Sequence, residues 1–438
     1  MLFFISLLSA MLFTVVLMFL TTSAGVASSS QFPTVQMSER FIDMLFGFAQ
    51  VFLFFWLYAP CLWIFSYNAV DYVAAFALSD DHPEGTTSTA HALTRRPGCC
   101  HHAPHDYKRV LRLISPLTLL LFLCTIGMLI LFILNKEDPD WPSGIFPVIL
   151  FATCLLYLLV PYLPPLAATR MAFAGVLGKS LCAMVYPLFG FDFSQLIVSD
   201  CLTSASLTLY QLELVGCFTF TGEFVRDSYV DLCGSGSNKL VAQPIMYCFP
   251  YWIRFVQCVY MYWTTREPAH LLNAGKYMTG IVAVLASFVS NDSGTAGVDF
   301  WFVFYIVMIS LKTLYCILWD TYMDFDLGHR PTTKGEFPFF LRAQRAYSST
   351  GFYYWALISN AIMRCSFAIA LTTSVPYNWG MLMAVVEIFR RAQWILLRVE
   401  VKHFELLNQQ QLDDEEAEEN PLLLDQPSIQ SINSINSS

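Results

Sequence analysis

Six basic residues lie within or at the ends of long apolar stretches of this 438-residue chain: Arg254, Lys276, Lys312, Arg364, Arg390 and Arg391. The acids in comparable positions are Asp200, Glu213, Asp320 and Glu387, with Asp324 at the end of a stretch. A charge at bilayer depth costs about 2.5–3.5 kcal/mol even on lenient insertion scales, so such residues face a bundle interior and mark a pathway or a partner. Cations concentrated in the C-terminal half predict a cavity for an anion. Arginine suits phosphate in particular, because its planar fork donates two parallel hydrogen bonds to two phosphate oxygens. Asp320 and Asp324 are four residues apart and share a helix face, as do Glu387 and the pair Arg390-Arg391. Carboxylates so placed keep the arginines from being buried unpaired between anions. For single residues a structural reading stays open: Arg390 and Arg391 as snorkelling anchors, Lys312 as an anchor or a partner of Asp320.

Such side chains need apolar helices to carry them, and the composition supplies these. Hydrophobic residues make up 56% of the chain, charged residues only 13%, and mean hydropathy is +0.53, against about 25% charged in an ordinary globular domain. At roughly 20 apolar residues per crossing, ten spans are expected, at about 1–22, 42–66, 111–134, 145–166, 196–222, 243–263, 275–291, 299–320, 350–374 and 379–397. The expected fold class is an all-α polytopic transmembrane bundle. Its N-terminal region is 1–195, with a cytosolic loop at 67–109; a transmembrane core at 196–400 and a disordered acidic cytosolic tail at 401–438 follow. With ten spans, fourteen of the 24 Lys and Arg fall on one face and four, Arg40, Lys136, Arg226 and Lys239, on the other. The positive-inside rule then places both termini in the cytosol. Residues 1–27 also admit a second reading, a cleaved signal peptide ending in small residues but lacking a basic start.

Three further features hold residue types capable of chemistry. Cys99-Cys100-His101-His102 with His105 offers zinc-ligand types, yet adjacent pairs do not converge tetrahedrally, so a flexible loop or a palmitoylated pair is expected and no metal. Cys233 and Cys248 are the candidates for a lumenal disulfide. In the tail, Glu418 stands four residues before Leu422-Leu423, the spacing of an acidic dileucine signal read by clathrin adaptors; a solvated acidic tail is the plain alternative. With no P-loop and no nucleophile–base set, neither enzymatic chemistry nor a cofactor is expected, and nothing suggests nucleic acid as a partner. The lipid bilayer is the certain environment, and a homodimer is compatible with the sequence.

Several motifs carry a family resemblance. The segment Arg254-Phe255-Val256-Gln257-Cys258, followed by Asn273-Ala274-Gly275-Lys276-Tyr277, resembles the signature of the EXS family, which includes the xenotropic and polytropic retrovirus receptor, plant phosphate exporters and yeast Erd. Ser199-Asp200-Cys201-Leu202-Thr203-Ser204, Trp319-Asp320 with Met323-Asp324, and Glu387-Ile388-Phe389-Arg390-Arg391 resemble further elements of that family, in the same order. The resemblance implies export of inorganic phosphate from the cytosol, or its movement between Golgi lumen and cytosol. It places Arg254, Lys276, Arg364, Arg390 and Arg391 on the anion and makes Asp200, Asp320 and Asp324 balancing or gating carboxylates. Lys312 and Glu213 stand outside it. The first apolar stretch opens at Met1, so a member without the SPX sensor of larger relatives is expected. Golgi or endolysosomal membranes are favoured over the plasma membrane. The competing function is a non-transporting Golgi protein that helps retain glycosyltransferases. Phe367 stands where relatives often carry Trp, so a gate built on that ring would differ.

Overall fold

The computed structural model describes residues 34–76, most of 112–130, 145–159, 167–182, 191–221, 233, 236–292, 300–328, 340–370 and 379–419. The expectations for residues 1–27, for the Cys99–His105 cluster and for Leu422-Leu423 lie outside these. The described residues form helices joined by short turns, without a strand among them. In chain order these are α1 (Thr34–Tyr67), the single turn α2 (Tyr72–Ala75), α3 (Ile145–Leu159), α4 (Ala167–Cys182), α5 (Phe193–Thr203) and α6 (Ser206–Thr221). Then come α7 (Gly236–Thr265), α8 (Pro268–Asp292), α9 (Phe300–Trp319), α10 (Thr350–Arg364), the turn α11 (Phe367–Ala370) and α12 (Trp379–Glu419).

Three helices are long and apolar enough to cross a membrane, over Phe46–Tyr67, Pro268–Ser290 and Phe300–Asp324. The chain is an integral membrane protein, and α9 shows how its sequence is divided between lipid and bundle. Val303, Val307, Leu311, Leu314 and Leu318 recur at helical spacing and are all exposed, whereas Thr313, Cys316 and Trp319 are buried. An apolar stripe turned outward with polar groups turned inward inverts the soluble pattern, as lipid requires. By contrast α1 runs through the interior. Leu57 and Phe65 pack with Tyr353 and Ala356 of α10 and Ile388 and Leu396 of α12. Earlier in α1, Phe46 and Phe52 pack with Leu214, Val215 and Phe218 of α6.

Three of the expected spans break or change their winding where polar residues face the bundle. The stretch 196–222 is two helices, α5 and α6, parted at Ser204-Ala205. The Ser204 and Ala205 amides bond three residues back to Cys201 and Leu202, while the Thr203 and Ser206 hydroxyls donate to the Asp200 and Thr203 carbonyls. Short hydroxyl side chains competing for backbone acceptors account for this break. At the end of α9 the helix widens into a π turn, Asp320–Asp324, closed by Phe325 N–H to the Asp320 carbonyl. The third interruption follows Arg364, where the chain turns before α11.

Two expectations are corrected. Cys233 is bonded to Cys217, at a Cα separation of 5.9 Å, and Cys248 is free. Cys217 looks apolar and span-buried in sequence, but it sits in the last turns of α6, within reach of the returning chain; Cys248 lies three turns inside α7. The segment 401–419, expected to be disordered, continues α12 as helix to Glu419. Its Leu, Gln and Glu residues are strong helix formers, and Val401 and His403 are buried against the bundle.

Candidate functional site

The interruptions converge on one polar centre. Asp200 closes α5 on one side of it. Its Oδ1 accepts from the Tyr277 hydroxyl at 2.5 Å and faces Arg254 Nε at 3.0 Å. Arg254 also donates to Tyr277 Oη at 3.1 Å and to Gln257 Oε1 at 2.8 Å, and Gln257 donates onward to Ser199 Oγ at 2.8 Å. The spacing from Arg254 to Gln257 is one helical turn, which lets α7 supply both groups to α5. Arg254 and Asp200 are buried, and Gln257 and Ser199 completely so.

The π turn builds the opposite side. Oδ2 of Asp320 receives Asn360 Nδ2 at 2.9 Å, Arg364 Nε at 2.7 Å and Arg364 Nη2 at 2.6 Å, with Arg390 Nη1 at 3.6 Å. Arg390 grips Glu387 in a two-pronged contact, Nε to Oε2 at 2.7 Å and Nη2 to Oε1 at 2.5 Å, and reaches Asn360 Oδ1 at 3.2 Å. This is the bidentate geometry that gives Arg–carboxylate pairs both strength and direction. Arg390 is 1% exposed, so it is no snorkelling anchor.

Two cations are held differently. Arg391 donates to Ser204 Oγ at 2.8 Å and Thr203 Oγ1 at 3.0 Å and lies over the Trp394 ring at 4.6 Å. The Lys276 ammonium stands over the faces of Tyr277 at 4.6 Å and Trp319 at 4.8 Å. Among the described residues neither makes an ion pair with a carboxylate, although both are near enough to Asp200 to act on it electrostatically, and Lys276 acts on Asp320 and Asp324 as well. Asp324 itself accepts from Trp394 Nε1 at 2.9 Å. The hydroxyls at the break between α5 and α6 thus hold Arg391, while Ser204 Oγ donates to Glu387 Oε1 at 2.7 Å and joins the two sides.

All eight residues singled out in sequence, Arg254, Lys276, Arg364, Arg390, Arg391, Asp200, Asp320 and Asp324, belong to this centre. Glu387, which the sequence puts on one helix face with Arg390-Arg391, is integral to it. Asn360, Gln257 and Trp394 were not singled out, and only their burial beside charged neighbours could have marked them. Lys312 does not reach Asp320 as the alternative reading had it; its Nζ donates to Tyr251 Oη at 3.0 Å. Glu213 lies on α6, beyond the break. Glu418 sits in the last turn of α12. Among the described residues no cluster of ligand-type side chains could hold a metal ion.

The sequence model of the EXS family matches residues 41–404. The chain is 27% identical over 281 residues to Solute carrier family 53 member 1 of Homo sapiens, covering 60% of this chain and 39% of that protein. It is 29% identical over 294 residues to Xenotropic and polytropic retrovirus receptor 1 homolog of Danio rerio, covering 63% and 41%. With Phosphate transporter PHO1 of Arabidopsis thaliana it shares 28% identity over 270 residues, covering 60% and 33%. The matched region thus spans about two fifths of these relatives' length or less.

Proposed function

The chain belongs to the EXS family, and from that premise we propose that it carries inorganic phosphate across a bilayer through the cation-rich centre between α5, α7, α8, α9, α10 and α12. One observation carries this reading. Arg254, Arg364 and Arg390 are matched by Asp200, Asp320 and Glu387, whereas Lys276 and Arg391 rest on aromatic faces and hydroxyls. A cation–π contact is worth about 0.5–2 kcal/mol, weak enough for an arriving oxyanion to displace. Lys276 then supplies a mobile point charge and Arg391 a planar fork, the two complementary ways of holding phosphate oxygens. The three arginines paired with carboxylates are neutralised and held in place, so the surplus positive charge is that of Lys276 and Arg391.

In this reading the carboxylates Asp200, Asp320 and Asp324 hold the cations in place between transport events and compete with phosphate for them. Movement is passive and down the phosphate gradient, with no covalent step. The proposed direction is outward from the cytosol, through ten spans with both termini cytosolic; the Cys217–Cys233 bond at the end of α6 supports that sidedness, because disulfides persist on oxidising faces. Residence in Golgi or endolysosomal membranes rests on the tail with Glu418, through which clathrin adaptors would act. The relative named a phosphate transporter supports phosphate as the anion.

The test is radioactive phosphate flux into proteoliposomes carrying the purified chain. Wild type should conduct, and Lys276→Ala and Arg391→Ala should each lose flux while remaining folded and inserted. A folded, inserted wild type without flux at either sign of membrane potential would overturn the reading. Deleting the residues beyond Glu419 should alter cellular address and leave flux intact.

A further inference from the structure

Asp324 is the exception among the carboxylates of the centre. Asp200 and Asp320 are buried and bonded to arginines, and Glu387 gives both its oxygens to Arg390. Among the described residues Asp324 makes no ion pair. Its hydrogen bond there runs from Trp394 Nε1 to Oδ2 at 2.9 Å and leaves Oδ1 without a donor, and the residue is half-buried, so a ligand can reach it. Met323 and Asp326, on either side of Asp324 in the chain, line a cavity of about 520 Å³ together with Gln344, Val401 and Phe404. That cavity opens the centre toward the C-terminal half of α12.

The two cations without carboxylate partners converge on the same place. Arg391 Cζ lies over the Trp394 ring at 4.6 Å, and the edge of that ring holds Asp324 at 2.9 Å. Arg391 spends Nε and Nη2 on Ser204 and Thr203, which leaves Nη1 for a ligand. The Lys276 ammonium stands over Trp319, the residue that opens the π turn carrying Asp324. Of the charges facing Asp324, which also include Asp320, Arg398 and Asp200, Lys276 acts on it most strongly. An anion seated on Lys276 and Arg391 therefore has a carboxylate oxygen beside it. Two bare anionic oxygens placed together repel, and more strongly in a site shielded from water than in solution. A hydroxyl on the anion turns that repulsion into a charge-assisted hydrogen bond. Both ionic forms of phosphate present at neutral pH keep a P–OH, whereas sulfate has acceptor oxygens alone. Arginine and lysine only donate and hold either anion.

We propose that Asp324 is the specificity-determining residue of the centre: its Oδ1 accepts a hydrogen bond from the hydroxyl of an oxyanion held by Lys276 and Arg391, and an oxyanion without a hydroxyl is turned away. The class of ligand is tetrahedral oxyanions that retain a proton, arsenate included. This inference rests on the proposed phosphate flux and gives Asp324, beyond holding cations between transport events, the choice of anion.

The experiment is radioactive phosphate flux in proteoliposomes at neutral pH, with arsenate, sulfate and fluorophosphate as competitors, for wild type, Asp324→Asn and Asp324→Ser. Fluorophosphate has the size and the double negative charge of hydrogen phosphate, with a fluorine that cannot donate in place of the hydroxyl. In wild type, arsenate should compete about as well as unlabelled phosphate, and sulfate and fluorophosphate at least about tenfold less well, the factor for one hydrogen bond to a charged group. Asp324→Asn keeps the shape and an acceptor for Trp394 while its amide donates to oxygen, so sulfate and fluorophosphate should gain as competitors by a similar factor. Asp324→Ser removes the charge by shortening the side chain and should shift them the same way, so either variant suffices if the other does not insert. Fluorophosphate competing as well as phosphate in wild type would overturn the assignment without any variant. Unchanged discrimination in a folded, inserted Asp324→Asn or Asp324→Ser would also overturn it and leave the transport reading standing. Absence of any phosphate flux in folded wild type would overturn both readings together.

Discussion

Two buried ionic clusters occupy α12, and they differ in whether their charges balance. Near its C-terminal half, Glu400 is completely buried and saturated: it accepts from Arg342 Nη2, from the Tyr353 hydroxyl at 2.5 Å and from the Ala346 N–H at 2.6 Å. Arg342 spends its remaining donors on the carbonyls of Phe325 at 2.6 Å and Gln344 at 2.9 Å. Every strong group has its partner, and the cluster pins the 340–349 loop to α12 and to the end of the π turn. Three turns earlier, around Arg390 and Arg391, five cations face four carboxylates: Asp200, Asp320 and Glu387 are committed to arginines, Asp324 accepts from the Trp394 N–H, and two cations rest on aromatic rings. A saturated cluster is a lock; a cluster with cations to spare is a seat for an anion. Burial and residue type are the same in both, so neither property alone distinguishes structural charges from functional ones.

The comparison can be broken most sharply by removing the spare cations. Lys276→Ala or Arg391→Ala should lower phosphate flux by at least about 100-fold, the scale of one or two lost charge-assisted contacts, with a smaller effect on melting temperature than any variant of the lock. Equal losses of stability and flux would erase the distinction. At the lock, Glu400→Gln should destabilise by about 3–5 kcal/mol, because it leaves Arg342 buried without a counter-charge; thermal melting in detergent reads this, and flux per folded molecule should hold. A third outcome sharpens the lock's boundary. His403 Nδ1 accepts from the Asp71 N–H at 3.3 Å, and burial holds its imidazole below the ordinary histidine range. A lowered folded pKa means the contribution is present above about pH 6.5 and is lost as pH falls through the lower folded value. Wild type should therefore lose stability on acidification more steeply than His403→Gln, by about 1 kcal/mol at most. The smallest effect is expected at Lys312, which bonds Tyr251 and acts on Glu387 of the centre only through space: Lys312→Met should change flux by less than about twofold.

Much of this was legible in sequence because membrane burial makes charges rare. Each of the eight chosen residues stood out against an apolar background, and each lies in the centre. Lys312 stood out equally but bonds Tyr251 and no carboxylate, since rarity marks a charge as costly without saying which neighbour bears the cost. Glu387 was legible as a neighbour of Arg390 one turn on, whereas its contact with Ser204, 183 residues away, was not. Asn360 carries no charge and raises no signal, and Gln257 appears only as part of the Arg254–Cys258 motif, with no role marked by charge. The disulfide was misassigned for a related reason: cysteine reads as apolar inside a span, and only the course of the backbone brings Cys217 to Cys233.

What the sequence determined by itself was the solvent and the inventory. Its longest apolar runs require lipid around the helices they form, and its buried cations require an anion, a carboxylate or an aromatic face for each. Tertiary structure decided which of the three each cation received. Arg391 meets Ser204 across 187 residues, and Asp320 meets Arg364 only because a π turn rotates the end of α9 toward α10. Such pairings depend on where helices break and how they cross, and those are set by packing between segments distant in the chain, which local periodicity does not encode.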